Sequence, residues 1–198
     1  MVAWTNLHLM LLQEQREQLI ARKSVSKQEQ GPRVMVCGPR NTGKTTLVRT
    51  LAGLATRQGG HPLVANLDPA EGLLSLPGTV SAAVFGTVMD VEDPAGGFGV
   101  GNTPSTGPSG VPVKLPMVYY FGRERVEDDV PLWKDLATKL ASSARAKIQT
   151  VDEVRYSGLI LDMPAVEAGV AGMEVLAHAV AEFASKIFSV FSLWGERI

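Results

Sequence analysis

Hydrophobic positions along this chain follow two rhythms, one of helical and one of strand type, that alternate along its length. Thr5 to Ile20 predicts a helix with Leu7, Met10/Leu11, Glu14 and Gln18 in one lane. Its apolar content stops before Gln13, so its second half is expected in solvent, and nothing nearby offers the apolar half a partner. Ser24 to Gln30 is polar, and Gly31-Pro32 ends any helix there. Arg33 to Cys37 is then a short apolar run of strand type. From Lys44 onward Leu47, Val48, Leu51 and Leu54/Ala55 recur at helical spacing, and that helix ends near Gly59-Gly60.

Leu63 to Asp68 reads as a buried strand ending in an acid, followed by Pro69-Ala70-Glu71-Gly72, Leu73 to Pro77 and Gly78-Thr79. Asp93 to Gly110 is rich in glycine and proline and predicts a long loop or insertion. Lys114 to Phe121 is the next strand. A helix is expected from Pro131 to Lys147, with Leu132, Leu136 and Leu140 four residues apart. Tyr156 to Pro164 gives another apolar strand with an acid, Asp162, at its end. A helix over Gly172 to Ser185 and a strand over Ile187 to Trp194 complete the pattern. Apolar strands alternating with helices predict an α/β fold with a mostly parallel sheet covered on both faces. A last strand with no covering helix after it leads us to expect a fragment, incomplete at both ends.

Composition narrows this picture modestly. Net charge is −1 and 45% of residues are hydrophobic, which is ordinary for a globular chain of 198 residues. No apolar run approaches the ~20 residues of a membrane span, so no membrane partner is expected. Balanced charge argues against strong autonomous nucleic-acid binding, which needs a basic face. The single cysteine, Cys37, excludes a disulfide framework and reads as a small core residue.

The chemistry enters between the first strand and its helix. Gly38-Pro-Arg-Asn41-Thr42-Gly43-Lys44-Thr45-Thr46 satisfies the phosphate-loop pattern G-x-x-x-x-G-K-[ST] at every fixed position, in the strand–loop–helix context that the pattern needs. Gly38 and Gly43 let the backbone turn its N–H groups inward around an oxyanion. The helix directs its positive end at the same place. Lys44 supplies a charge for the β- and γ-phosphates, and the Thr45 hydroxyl can ligate Mg2+. A nucleoside triphosphate is therefore the expected ligand, bound by Gly38, Asn41, Thr42, Gly43, Lys44, Thr45 and Thr46. On this reading residues 1–30 are a connector helix and linker, and 31–198 a truncated P-loop nucleotide-binding domain of three-layer type with the 93–110 loop inserted.

Asp68 and Asp162 end two predicted strands, where ligands gather in such sheets. One acid there can hold Mg2+ and the other orient or deprotonate an attacking group; capping of the turns at Pro69 and Pro164 is the competing role. His8, His61 and His178 show no ligand spacing and read as surface or packing residues. Glu124, Glu127, Asp128 and Asp129 read as a solvated face before a helix. Trp133 reads as core, with stacking on a base as the alternative.

The ordered string resembles a known family over nearly its whole length. Carrying the resemblance are Asn6-Leu7-His8, Gly31-Pro32-Arg33, the phosphate loop, Asn66-Leu67-Asp68-Pro69, Pro77-Gly78-Thr79, Tyr119-Tyr120-Phe121-Gly122, Ser157-Gly158 and Ile160 to Ala165. Together they resemble the polynucleotide 5′-hydroxyl-kinase family, within it the kinase-like subunits of the eukaryotic pre-mRNA 3′-end cleavage complex, and most of all the fungal branch. The resemblance implies ATP and Mg2+ as cofactors, with Lys44 and Asp68 as catalytic residues in active relatives and Thr45 and Asp162 at the metal. It implies a nuclear protein that assembles with other cleavage-factor subunits, including the scaffold subunit that binds the polymerase tail, with RNA as a candidate ligand. The family's lid arginines and adenine-gripping residues would lie outside residues 1–198. Two departures stand out: Asp68-Pro-Ala-Glu-Gly72 carries no Gln, and Asp162-Met163 replaces the usual Asp-Thr.

Two functions from different classes follow. One is an ATP-stabilised, non-catalytic subunit required for endonucleolytic cleavage during mRNA 3′-end formation. The other is an active polynucleotide 5′-hydroxyl kinase. A GPN-loop GTPase is a third reading on Asn66 to Ala70, but the defining Gly-Pro-Asn is missing.

Overall fold

The structure, a computed structural model, describes residues 6–13, 30–86, 116–165, 169–183 and 186–189. Its centre is β1 (Arg33–Cys37), four of whose five residues are buried. A glycine loop leads into α2 (Lys44–Arg57), which is preceded in the chain by the short helix α1 over residues 6–13. The strands β2 (Leu63–Asn66), β3 (Thr79–Val84), β4 (Met117–Tyr120), β5 (Leu159–Asp162) and β6 (Lys186–Ser189) join β1 in one sheet, ordered β4-β3-β2-β5-β1-β6. The strands β2, β5, β1 and β6 are mutually parallel, whereas β3 runs antiparallel to both neighbours.

The sheet is mostly parallel, as expected, but β3 is a correction. No strand was expected at Thr79–Val84, because the segment has no bulky apolar pair and Val80 and Ala82 are small. Val80 and Ala82 on its inward face are nonetheless fully buried, with Val84 partly so, since both neighbours supply backbone partners and α3 covers it.

Helices cover both faces. Val34, Val36, Val64 and Ile160 meet Leu47, Val48, Leu51 and Ala52 of α2 on one side. Leu11 of α1 is buried in this cluster with Leu7 against it, so part of that helix's apolar lane does have a partner, contrary to expectation. On the other side Met35, Ala65 and Leu161 pack against α3 (Val130–Thr150), α4 (Asp152–Ser157) and α5 (Val170–Phe183). The short α4 was not expected; it buries one side chain, Val154, and gives no periodic signal.

Local chemistry sets the ends of these helices. Asp129 caps α3 by accepting from the Leu132 N–H, with Pro131 in the first turn, so one of the acids expected in solvent has a structural task. Trp133, Leu136, Ala137, Leu140, Ala141, Ala144 and Ile148 form the buried stripe of α3 at three- and four-residue steps. Arg33 and Arg145 donate to the Phe183 and Glu182 carbonyls, placing positive charge at the C-terminal end of α5. Gly158, at φ 84, ties α4 to the start of β1; a Cβ there would lie 2.1 Å from the Pro32 carbonyl oxygen.

The 93–110 loop and most of the strand expected at 187–194 lie outside the described residues, as does the second half of the first helix. Among the described residues no helix is long and apolar enough to cross a membrane.

Candidate functional site

The parallel order puts the carboxyl ends of β1, β5 and β2 side by side. Val36, Asp162 and Asn66 are neighbours in register, so the phosphate loop after β1 faces the acid ending β5 and the acid two residues past β2. Residues separated by more than a hundred positions in sequence thus share one rim of the sheet.

The loop takes the conformation its composition allows. Asn41 has φ 61 and Gly43 φ 84, both left-handed, and Gly43 opens α2 with its carbonyl accepting from Leu47 N–H at 2.9 Å. Asn41 adopts that region as a residue able to tolerate it. No side chain caps α2, so its first N–H groups point into the loop. Lys44 is a buried residue whose Nζ donates to the Pro39 carbonyl at 3.0 Å, and the Thr42 hydroxyl donates to the same oxygen at 2.8 Å. Thr46 follows on the first turn of α2. Arg40, on the outer side of the loop, pairs with Glu124 at 3.0 Å, both well exposed.

Beneath the loop, the Thr45 hydroxyl donates to Asp162 Oδ2 at 2.8 Å. Asp162 is 0% exposed, and its Oδ1 has no hydrogen-bond partner among the described residues. Burial pushes its carboxyl up to about 7 against the lowering effect of the Thr45 hydrogen bond, and the charges of Asp68 and Glu71 add to the rise. An unpaired, fully buried carboxylate oxygen is costly unless a ligand meets it.

Asp68 is also buried and its carboxyl is raised, first by burial and then by Glu71. Bonds from the Ala70 and Ala165 N–H groups and the charge of Lys44 oppose the rise. One oxygen, Oδ1, accepts from Ala70 N–H at 3.0 Å, so the turn-capping role is present. Asn66 braces the same turn: its Oδ1 accepts from Asp68 N–H and its amide donates to the Glu71 carbonyl. Met163 is wholly buried in the cluster on the α3 side of the sheet.

Every expected site residue therefore lies on one rim, with Thr45 and Asp162 in direct contact and Asp68 within electrostatic reach of both Asp162 and Lys44. Sequence reasoning did not find Asn66, Glu71 or the Pro39 carbonyl. Only Asn66 carried a readable signal, as an Asn two residues before a turn acid. The histidines have packing roles: His8 is buried beside Gln58, and His178 Nε2 lies 3.0 Å from the Thr138 hydroxyl. Trp133 is core, 0% exposed.

Comparison with known proteins agrees with this geometry. The family described as mRNA cleavage and polyadenylation factor CLP1 P-loop matches residues 38–193. The mRNA cleavage and polyadenylation factor CLP1 of Chaetomium globosum is 66% identical over 154 residues, covering 78% of this chain and 31% of that protein. The Neurospora crassa protein of the same description is 57% identical over 160 residues, covering 80% of this chain and 33% of that protein. That of Botryotinia fuckeliana is 41% identical over 199 residues, covering all of this chain and 40% of its own length. The chain thus spans about a third of the length of these curated relatives. Among solved structures, the complex of wild-type Clp1p with Pcf11p superposes with a TM-score of 0.80 at 27% identity, covering 100% of this chain and 43% of that one. A second Clp1p–Pcf11p structure, concerned with an extended interface and with ATP loss in a glycine-to-arginine point mutant, gives 0.79 at 27% identity, covering 96% of this chain and 42% of that one. The chain belongs to the CLP1 P-loop family of mRNA cleavage and polyadenylation factors.

Proposed function

We propose that this chain is the nucleotide-holding domain of a subunit of the pre-mRNA 3′-end cleavage factor, with ATP and Mg2+ bound as a structural ligand. The observation that carries the reading is the Thr45–Asp162 pair beneath a complete phosphate loop, with Asp162 Oδ1 buried and unpaired. The backbone of Gly38, Asn41, Thr42, Gly43, Lys44, Thr45 and Thr46 would surround the phosphates, and Lys44 would exchange the Pro39 carbonyl for phosphate oxygens.

The donor set suits Mg2+. Two hard oxygen donors, the Thr45 hydroxyl and Asp162, meet at the loop, and no group of three or more His, Cys, Asp or Glu that could hold a metal occurs among the described residues. Magnesium is bound in this sparse way, through one or two protein oxygens together with substrate phosphates and water. When bound it neutralises phosphate charge. ATP held in this manner stabilises the fold by mass action and fixes the surface presented to partners. The solved relatives carry Pcf11p, and we propose a subunit of that kind, the one that also binds the polymerase tail, as partner here, in the nucleus. RNA is a further candidate ligand.

One observation favours the kinase alternative: burial raises the Asp68 carboxyl toward the range of a general base near Lys44. Against it, Asp68 spends one oxygen on its own turn, and Met163 turns into the core beside Asp162 rather than offering a hydroxyl. The test uses the full-length parent protein with γ-labelled ATP and a 5′-hydroxyl RNA oligonucleotide. No labelled RNA is expected, and Asp68→Ala should co-purify with the other subunits undiminished. Labelled RNA that disappears in Asp68→Ala would establish the kinase instead.

A further inference from the structure

One buried hydrogen bond reaches the acids from the far side of the sheet. Trp133 on α3 is fully buried, and its indole Nε1–H donates to the Leu67 carbonyl at 3.0 Å. Leu67 lies one residue past the last paired position of β2, Asn66 opposite Asp162. Its N–H still donates to the Asp162 carbonyl at 2.9 Å, but its own carbonyl has left the strand ladder. Since Leu67 is 0% exposed, without the indole that carbonyl would be buried and without this donor, a state proteins avoid.

The next residue is Asp68. Its N–H is held by Asn66 Oδ1 at 2.9 Å and its carboxylate by Ala70 N–H. The peptide linking Leu67 to Asp68 is therefore fixed at both of its polar groups, the Leu67 carbonyl by Trp133 of α3 and the Asp68 N–H by Asn66 of β2, while Asp162 of β5 holds the peptide before it. The indole is itself set from behind, edge-on to the His178 ring of α5 with centroids 6.4 Å apart, and His178 Nε2 lies 3.1 Å from the Lys134 carbonyl.

We propose that Trp133 is a positioning residue, holding the Leu67–Asp68 peptide so that the Asp68 carboxylate stays in register with the Thr45–Asp162 pair. The inference rests on the nucleotide-site reading above. Outer groups that orient a metal site typically change metal affinity or activity by about 10- to 100-fold when removed. The indole bonds the Leu67 carbonyl and not the phosphate loop, so the loss falls chiefly on the Mg2+-dependent part of nucleotide binding.

The experiment measures ATP affinity of the full-length protein with Mg2+ and with a chelator, for the native chain and for Trp133→Phe, which keeps a ring and removes the donor. The expected result is about tenfold weaker binding in Mg2+ with chelator binding unchanged. Equal losses in both conditions would mark Trp133 as packing only, and unchanged binding in both would dismiss the assignment. Should Trp133→Phe not fold, benzothienylalanine at 133 replaces the N–H by sulfur in a ring of the same shape, with the same expected and contrary results. A native protein whose ATP binding does not respond to Mg2+ would overturn the site reading itself. A native response kept intact in the variant would overturn only the role of Trp133.

Discussion

Asp162 shows what a nucleotide site costs the empty protein. Its carboxyl is pushed from an ordinary 3.8 to about 7, chiefly by burial. The folded state therefore holds a proton that the unfolded state releases. This contribution to stability is complete below about pH 4 and is lost as the pH rises through about 7. Asp162→Asn, whose amide oxygen can still accept from Thr45, removes the titration. Without nucleotide or metal, the variant should gain on the native protein between about pH 4 and 8, by up to about 4 kcal/mol at ~1.4 kcal/mol per pKa unit. Urea unfolding across that range reads the difference, and parallel pH curves would contradict the environment assigned to Asp162. With ATP and Mg2+ the order should invert, because a cation requires the charged carboxylate.

Among the elements, α1 docks through few side chains: Leu11 and His8 are buried, whereas Leu9 and Met10 are exposed. Burial lowers the His8 pKa below 6.5, so the neutral ring belongs to the docked helix. A base with a lowered folded pKa contributes its stability above pH 6.5 and loses it as the pH falls through the folded value. Hydrogen exchange over residues 6–13, corrected for intrinsic rate, should be faster at about pH 5 than at pH 8, and His8→Gln should abolish the difference. Equal protection at both values in the native chain would show that His8 does not control docking. Elements were legible where a long period ran uninterrupted. The stripe of α3 and the run into α2 gave themselves away, whereas β3 and α4 did not. Thr79–Val84 is made of small residues whose burial comes from α3 and two flanking strands, and Asp152–Ser157 is too short to repeat.

At the scale of the whole molecule, strand order does what local sequence cannot. The phosphate loop is contiguous, so its spacing and its place before a helix were visible from residues 38–46 alone. Asp68 and Asp162 could be noticed as acids ending strands, but the Thr45–Asp162 contact spans 117 positions and exists because β5 lies between β1 and β2. The bracing by Trp133 has the same origin, since it acts across 66 positions through the Leu67 carbonyl, a backbone group with no side-chain signature, whereas the Asn66 brace is local to its own turn. The proposed function rests on one central claim, that the rim of the sheet holds ATP. The measurement that tests it most directly is chromatography of nucleotide released on denaturing the purified full-length parent protein, beside its Lys44→Ala variant. Lys44 is buried against the Pro39 carbonyl and ready to change partners. The account predicts ATP near one per native chain and none from the variant. A native protein that releases no nucleotide, or a variant that releases as much, would contradict it.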